Sequence, residues 1–232
     1  MAGQKANLVF TDPPYNVDYK GGIKNRRKGK TRRNIYNDNL PIEVYTQLLQ
    51  AALTNMATYS EPDASLYLCH SDQYLPLIQS ALTGADYCVR AVLVWAKQHF
   101  VFNYSRYKTQ HEPILYCHRI GQKDVWYGDS KQSTLWCFDR PVKSDLHPTM
   151  KPVALIQQAL YNSSLPGDRV LDLFGGSGST LMACHNNQRQ AFLMEIQPNY
   201  VDVIIRRWQQ QTKGEAIREQ DKQSFAALES LQ

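Results

Sequence analysis

The tetrapeptide Asp12-Pro13-Pro14-Tyr15 contains the residue types needed to hold an amino group on a nucleobase. Such a nitrogen is a poor nucleophile because its lone pair is delocalised into the ring. Two neighbouring acceptors that each take one N–H, here the Asp12 carboxylate and the Pro13 carbonyl, favour its reactive form. The proline pair makes the turn stiff and removes two donors, and Tyr15 offers a face to a flipped-out base. A proline-rich turn without chemistry is the alternative interpretation.

A glycine-rich segment later in the chain is typical of a nucleotide-cofactor site. A predicted buried strand, 169–174, leads into Gly175-Gly176-Ser177-Gly178-Ser179-Thr180, and a helix is predicted to follow. In open α/β folds this combination of strand, glycine turn and helix start cradles the cofactor. A second predicted strand ends at Glu195, 20 positions after Gly175, which is the spacing at which a carboxylate meets ribose hydroxyls.

Two other nucleotide sites do not fit the glycine segment. The phosphate loop of ATPases ends in Gly-Lys-Ser/Thr, and this segment contains no lysine. A dinucleotide dehydrogenase needs a third glycine where this chain has Leu181, and it would leave Asp12–Tyr15 without a role.

The chain resembles the amino-methyltransferases of DNA in three segments that occur in the order Asp12–Tyr15, His147–Pro152 and Asp172–Ser179. The catalytic segment comes first and the cofactor segment last, which is similar to the beta class of that family. The resemblance spans roughly residues 7 to 212. Further segments also match: Asn37-Asp38, Trp95-Ala96-Lys97, His111-Glu112-Pro113 and Gln197–Tyr200. No mechanism for His111-Glu112 follows from the residue types.

The resemblance implies an enzyme that uses S-adenosylmethionine as methyl donor and double-stranded DNA as substrate, in the setting of restriction–modification. Asp12, where N4-cytosine enzymes have serine, favours N6-adenine as the target, with N4-cytosine as the alternative. The implied catalytic residues are Asp12, Pro13, Pro14 and Tyr15. The implied cofactor-binding residues are Lys151, Asp172, Phe174, Gly175, Gly176, Ser177, Gly178, Ser179 and Glu195.

Two further hypotheses concern substrate and turnover. Methylases of RNA or of protein glutamine favour Asn where this chain has Asp12, which argues against them. A truncated remnant that binds nucleic acid without turnover is the non-enzymatic alternative. Only six residues precede the predicted catalytic strand, whereas beta-class relatives carry another strand and helix upstream. We therefore expect either an internal start at Met1 or a sheet without its usual edge strand.

Positive charge is concentrated in one glycine-punctuated segment. Eight cations and no acids occur in its fourteen residues, and removing them from the net charge of +5 leaves −3 for the rest of the chain. A solvated surface is the ordinary interpretation of such a run, but its position shortly after Tyr15 favours a clamp on DNA phosphates. The predicted DNA-binding residues are Lys20, Lys24, Arg26, Arg27, Lys28, Lys30, Arg32 and Arg33.

The elements that must position these residues are those of an α/β fold. Alternating strands and helices predict a Rossmann-like, doubly wound, mostly parallel sheet. We expect one permuted methyltransferase domain over 1–212, with a basic loop at 20–34 and a short target-recognition region at 118–146, followed by a charged tail at 213–232. The Asp12 turn and the glycine segment both lie at the carboxyl ends of predicted strands. Those two strands must be neighbours for a methyl group to pass from the cofactor to the base.

Composition limits the other classes. The chain has 232 residues and 43% hydrophobic residues, enough for one domain with a full core. No apolar run approaches the ~20 residues of a membrane span. Five scattered cysteines without Cys-x-x-Cys favour reduced thiols in the cytoplasm. The histidines show no metal-ligand spacing, so we expect no metal. The lengths of the apolar runs give no reason to expect membrane binding, and a homodimer is possible. Glu61-Pro62-Asp63 is predicted to be a loop.

Overall fold

The computed structural model describes residues 1, 3–18, 36–101, 105–139 and 150–229. The predicted DNA-binding residues from Lys20 to Arg33 lie outside this part of the chain, as do His147 and Thr149. The described strands are β1 (Ala6–Thr11), β2 (Ser60–Cys69), β3 (Tyr87–Val101), β4 (Thr109–Arg119), β5 (Leu135–Cys137), β6 (Arg169–Asp172) and β7 (Gln190–Leu193). The α-helices are α1 (Ile42–Thr58), α2 (Leu75–Gly84), α3 (Val153–Ser163), α4 (Ser179–Asn186), α5 (Pro198–Thr212) and α6 (Phe225–Glu229).

These strands form one sheet of seven, in the order β5-β3-β4-β2-β1-β6-β7. The pairs β1–β2, β1–β6, β6–β7 and β3–β5 are parallel. The pairs β2–β4 and β3–β4 are antiparallel. The predicted Rossmann-like, mostly parallel α/β fold is confirmed.

The central strand β1 is buried on both faces, as its continuous apolar sequence predicts. Val9 packs into a core cluster with residues of α1 and α2. Leu8 and Phe10 point to the opposite face and pack into a second cluster with residues of α3 and α4. Because helices cover both faces, β1 runs through the middle of the molecule and opens only at its carboxyl end, where Asp12 follows.

The predicted adjacency of the two chemical strands is confirmed. Leu8 of β1 pairs with Val170 of β6, and Val9 pairs with Leu171. The strands are parallel, so their carboxyl ends reach the same edge of the sheet. The catalytic turn and the glycine loop, which are 160 positions apart in the sequence, therefore begin side by side.

The predicted loop Glu61-Pro62-Asp63 is wrong, because these residues belong to β2. The pairing of β1 with β2 slips there: Ala6 pairs with Ser60, but Leu8 pairs with Ser65. The extra residues of β2 form a bulge, and a proline is tolerated in a bulge because no ladder donor is needed from it.

The segment after α5 folds back on that helix. Ile217 and Ser224 form an isolated antiparallel bridge. Arg206 of α5 forms an ion pair with Glu229 at 2.7 Å, and its guanidinium lies 5.5 Å from the ring centroid of Phe225. These contacts attach α6 to α5.

Candidate active site

A cavity of about 650 Å³ opens at the carboxyl ends of β1 and β6. Its volume is that of a typical small-molecule site. The tetrapeptide Asp12–Tyr15 lines one side of it, and the loop from Asp172 to Ser179 lines the other. Glu112, Lys151 and Glu195 also line the cavity. The structure thus brings the predicted catalytic residues and, except for Gly178, the predicted cofactor-binding residues around one space.

The Asp12 carboxylate is held by two donors. The Tyr15 hydroxyl donates to Oδ1 at 2.8 Å. The Lys151 ammonium donates to Oδ2 at 2.7 Å. Burial, together with the Asp12 and Glu112 carboxylates, raises the pKa of Tyr15, so its hydroxyl remains a donor. Each carboxylate oxygen has a second lone-pair position, and Asp12 can therefore accept a further N–H.

The main chain of the catalytic turn is fixed by residues that sequence analysis did not assign to the site. Tyr45 of α1 donates its hydroxyl to the Pro14 carbonyl at 3.0 Å. The Asp38 carboxylate, which is 4% exposed, accepts from the backbone N–H of Tyr15 at 3.1 Å. Asp38 was noted only as part of a matching segment. These bonds set the direction in which the turn faces the cavity.

Hydrogen bonds join the two ends of the segment that follows the catalytic turn. The Asn16 side chain donates to the Leu40 carbonyl at 3.0 Å and accepts from the Leu40 N–H at 2.6 Å. The Asp18 N–H donates to the Asp38 carbonyl at 2.7 Å. Residues 16–18 and 38–40 are therefore tied together directly beside Tyr15.

Lys151 links the two sides of the cavity. Its ammonium is 5% exposed and lies 2.7 Å from Asp12 Oδ2 and 2.9 Å from Glu112 Oε2. Its carbonyl accepts from the Ser179 hydroxyl at 2.9 Å. The side chain thus lies with the catalytic turn, while the main chain of this predicted cofactor-binding residue contacts the glycine loop. Although burial opposes it, the Asp12 and Glu112 charges raise the pKa of Lys151.

Glu112 lies between two buried ammonium groups. Its Oε1 accepts from Lys97 at 2.5 Å, and its Oε2 pairs with Lys151. Burial alone would raise the pKa of Glu112, but Lys151 and Lys97 outweigh that effect and lower it to about 2. Sequence analysis did not give Glu112 or Lys97 a role. Their positions within two matching segments, Trp95-Ala96-Lys97 and His111-Glu112-Pro113, were the available signal.

The glycine loop is shaped by its backbone. Gly176 and Gly178 have φ angles of 53° and 77°, which glycine adopts without strain. A Cβ at Gly175 would lie 3.1 Å from the Met194 carbonyl, and one at Gly178 would lie 3.0 Å from Ile204 Cγ2. These positions keep the loop close to β7 and α5 and leave its other side open to the cavity.

Asp172 connects the two strands. It is 3% exposed, and its carboxylate accepts from Thr11 at 3.0 Å, from Thr180 at 2.6 Å and from the Phe174 N–H at 3.0 Å. Burial raises the pKa of Asp172 to about 6, although all three donors act in the opposite direction. The residue joins the end of β1 to the start of the glycine loop.

Glu195, which its spacing predicts to bind ribose hydroxyls, lies against the glycine loop. Its Oε2 accepts from the Gly176 N–H at 2.8 Å, and its Oε1 accepts from the Gln197 N–H at 2.9 Å. The neighbouring side chains of Met194 and Ile196 are 62% and 67% exposed although both are large and apolar. All three residues line the cavity, so a carboxylate lies between two apolar surfaces there.

The described part of the chain contains no group of three or more His, Cys, Asp or Glu residues placed to hold a metal ion. Among the same residues, no helix is long and apolar enough to cross a membrane.

Comparison with known proteins identifies a DNA methylase family along most of the chain. A family model described as DNA methylase, covering N6 and N4 enzymes, matches residues 6–206. The Type II methyltransferase M.HinfI of Haemophilus influenzae is 22% identical, over 89% of this chain and 64% of that protein. The chain thus spans less than two thirds of the length of this relative.

Two solved structures share the fold. The M1.HpyAVI–SAM complex has a TM-score of 0.68 and 21% sequence identity, with coverage of 89% of this chain and 90% of that one. The PvuII DNA methyltransferase, described as cytosine-N4-specific, has a TM-score of 0.67 and 16% identity, with coverage of 88% and 80%.

Proposed function

Because the chain belongs to the N6/N4 DNA methylase family, we propose that it transfers a methyl group from S-adenosylmethionine to the N6 amino group of adenine in double-stranded DNA. The observation that carries this proposal is the shared cavity of Asp12–Tyr15 and the glycine loop, at the adjacent carboxyl ends of β1 and β6. Methyl transfer needs donor and acceptor in line at short distance, and neighbouring strand ends provide that proximity.

In the proposed reaction, Asp12 and the Pro13 carbonyl each accept one N–H of the flipped adenine. The nitrogen lone pair then points at the methyl carbon. As the new N–C bond forms, the S–C bond of the donor breaks, and the N–H becomes acidic. Its proton passes to the Asp12 carboxylate or to water. Pro14 keeps the turn rigid, and Tyr15 fixes Asp12 through its hydroxyl while presenting its ring to the base, where stacking contributes ~1–3 kcal/mol.

The residues on the other side of the cavity fit S-adenosylmethionine, which supplies an electrophilic methyl group on its sulfonium. Glu195 would bind the ribose hydroxyls. The exposed apolar side chains of Met194 and Ile196, together with Phe174, would cover the adenine ring of the cofactor. The methionine part would lie against the loop of Gly175, Gly176, Ser177, Gly178 and Ser179, with Asp172 and Lys151 supporting the loop from behind.

Adenine is proposed over cytosine because Asp, rather than Ser, begins the Asp12–Tyr15 turn. N4-cytosine is the second candidate, since the fold is shared with a cytosine-N4-specific enzyme. The ring substituents differ, but the exocyclic amino group and the acceptors it needs are the same in both bases.

The test is methylation by the purified chain with labelled S-adenosylmethionine on unmethylated genomic DNA, followed by nucleoside mass spectrometry. N6-methyladenine is the expected product. N4-methylcytosine in its place would move the target to the second candidate. Label in RNA or protein but not in DNA, or no label at all with intact DNA binding, would overturn the proposed reaction.

We also propose that the cations between Lys20 and Arg33 contact DNA phosphates. The support is their density and their place in the sequence directly after the catalytic turn. Each phosphate neutralised contributes about −0.9 to the slope of log affinity against log salt. Replacing Arg26, Arg27, Arg32 and Arg33 with Ala should flatten that slope and leave the methylated sequence unchanged. An unaltered slope, or a new target sequence, would contradict a phosphate clamp.

A further inference from the structure

We propose that Glu112 and Lys97 are positioning residues that hold Lys151 on the Asp12 carboxylate and balance its charge. This inference rests on the proposed methyl transfer and extends it to two residues that have no assigned role. It gives a common purpose to the segments Trp95-Ala96-Lys97 and His111-Glu112-Pro113.

The four side chains form an unbroken chain of alternating charge. Lys97 contacts Glu112 at 2.5 Å, Glu112 contacts Lys151 at 2.9 Å, and Lys151 contacts Asp12 at 2.7 Å. They come from β3, β4, the residues before α3, and the residue that follows β1, so the ion pairs connect four separate parts of the chain. Lys97 is 7% exposed and Lys151 is 5% exposed.

Burial makes each of these charges depend on its neighbours. An ammonium removed from water is costly unless it is paired, and pairing has to be complete to offset the cost. Lys151 has two carboxylate partners and Glu112 has two ammonium partners, so the cluster of two acids and two bases is neutral. Loss of the Glu112 charge alone would leave one excess positive charge beside Asp12.

The geometry also explains why two lysines are present rather than one. Glu112 Oε2 accepts from the Tyr15 hydroxyl at 3.4 Å and also pairs with Lys151. The negative charge of Glu112 therefore lies beside the catalytic turn. A lone Lys151 shared by Asp12 and Glu112 would leave a net negative charge. Lys97 cancels it from the far side of Glu112, and its ammonium also lies 5.2 Å from the Trp95 ring centroid.

An excess charge at this position affects the chemical step in particular. As the methyl group is transferred, the positive charge leaves the sulfonium of the donor and develops on the target nitrogen, which Asp12 would hold, so a net positive cluster at Asp12 opposes the transition state more than it opposes cofactor binding. A Lys151 freed from Glu112 would also shift relative to Asp12, and a displacement of about 1 Å costs roughly 100-fold in rate.

The experiment compares Glu112→Gln with the charge-compensated double variant Lys97→Gln/Glu112→Gln. Steady-state kinetics on methylatable DNA give kcat, and titration of S-adenosylmethionine gives its KM. We expect the single variant to lose roughly 100-fold in kcat with the cofactor KM within about twofold of wild type. The double variant, which is neutral again, should recover at least tenfold of that loss. Glu61→Gln serves as control, because Glu61 pairs with Arg169 3.8 Å away at the opposite edge of the sheet.

The results separate this inference from the proposed function. A wild-type chain without methylation would remove the proposed function, whereas an active wild type with an equally active Glu112→Gln variant would remove only the positioning role. A double variant that folds but is no more active than the single one would show that Lys97 and Glu112 do not act by balancing charge, and would overturn that part of the proposal. If the single variant does not fold, recovery of a cooperative melt and of activity in the double variant supports the proposal, and failure of both variants to fold contradicts it.

Discussion

The catalytic turn and the glycine loop occupy equivalent positions at the ends of neighbouring parallel strands, yet they are held in different ways. The turn is fixed by side chains: Asp12 by Lys151 and Tyr15, and the main chain by Asp38. The loop depends on its own backbone: its glycines lack the Cβ atoms that would meet β7 and α5, and Asp172 and Glu195 accept from its main-chain N–H groups. A group that must orient a reacting nitrogen depends on charge and direction, whereas a surface that must approach a ligand depends on free space.

Two acids near these regions, the partly buried Glu112 and the buried Asp172, show the same contrast. Glu112 beside the turn has two ammonium partners, and its pKa is lowered to about 2. Asp172 under the loop has only hydroxyl and amide donors, and burial raises its pKa to about 6. Hydrogen bonds from neutral donors therefore do not offset burial here, whereas opposite charges do. Changes of charge should act mainly at the turn, and changes of volume mainly at the loop.

The largest expected effect follows from removing the acceptor. Asp12→Ala should lower methyl transfer by about 1,000-fold or more, because the target amine loses one of its two acceptors and Lys151 loses one of its two carboxylate partners. Cofactor affinity, measured by calorimetry, should stay close to wild type, as should both properties in the exposed-site control Asp63→Ala. A variant that keeps more than about a tenth of wild-type turnover, a loss below ~1.4 kcal/mol, would exclude the proposed role.

A second effect concerns the pH dependence of stability. The folded pKa of Asp172 is raised above its ordinary value of 3.8 to about 6, so its contribution to stability is complete below about pH 3.8 and is lost as the pH rises through about 6. Relative to Asp172→Asn, the free energy of unfolding of the wild type should therefore fall by about 3 kcal/mol between these values. Urea unfolding at several pH values measures this difference in the free energy of unfolding, and Asp168→Asn serves as control. A difference that does not vary with pH would contradict the assigned burial.

Next in size is a change of volume in the loop. Gly178→Ala places a Cβ 3.0 Å from Ile204 at a φ of 77°, and strain of this kind costs about 1–3 kcal/mol. We expect S-adenosylmethionine affinity to fall by roughly 30-fold. Gly167→Ala is a matched control, since its φ is also positive, at 91°, but nothing lies within 4 Å of the added Cβ. Equal effects of the two substitutions on cofactor binding would show that backbone strain, and not the shape of the loop, is responsible.

The smallest expected effect is at Glu195, the carboxylate that accepts from the Gly176 N–H of the loop. Glu195→Ala removes the acceptor for the Gly176 and Gln197 N–H groups and should weaken S-adenosylmethionine binding by about tenfold. Glu195→Gln keeps one acceptor oxygen and should lie between this variant and the wild type. Calorimetry of both, beside the exposed control Glu215→Ala, checks the order. An Ala variant with unchanged affinity would remove Glu195 from the cofactor site.

Sequence reasoning reached the parts of the site that are continuous in the chain. The Asp12 turn, the loop after Asp172 and the spacing to Glu195 each lie within one strand–turn unit, and parallel strands place such units at one edge of the sheet. The adjacency of β1 and β6 followed from the chemistry. These features need no knowledge of distant contacts.

Glu112 and Lys97 could not be placed in the same way. β4 runs antiparallel to β2, so the start of β4, where Glu112 lies, reaches the edge at which the parallel strands end. A prediction based only on the carboxyl ends of strands therefore misses Glu112. The pairing of Trp95 with Glu112 then brings Lys97 beside Glu112, and that register is set by tertiary packing, which no local pattern reveals.

The tie between Asn16 and Leu40 has a consequence for how such a protein can acquire new specificity. Asn16 and Asp18 lie just after the catalytic turn, and Asp38 and Leu40 lie just before α1, so these hydrogen bonds tie the turn to the start of that helix. Loop-closure entropy grows slowly, by about 0.6 kcal/mol for each doubling of length. We therefore expect that segments of other lengths and charges can replace the residues between these two ends while the hydrogen bonds at the turn are kept, and the proposed phosphate contacts could then change independently of the turn.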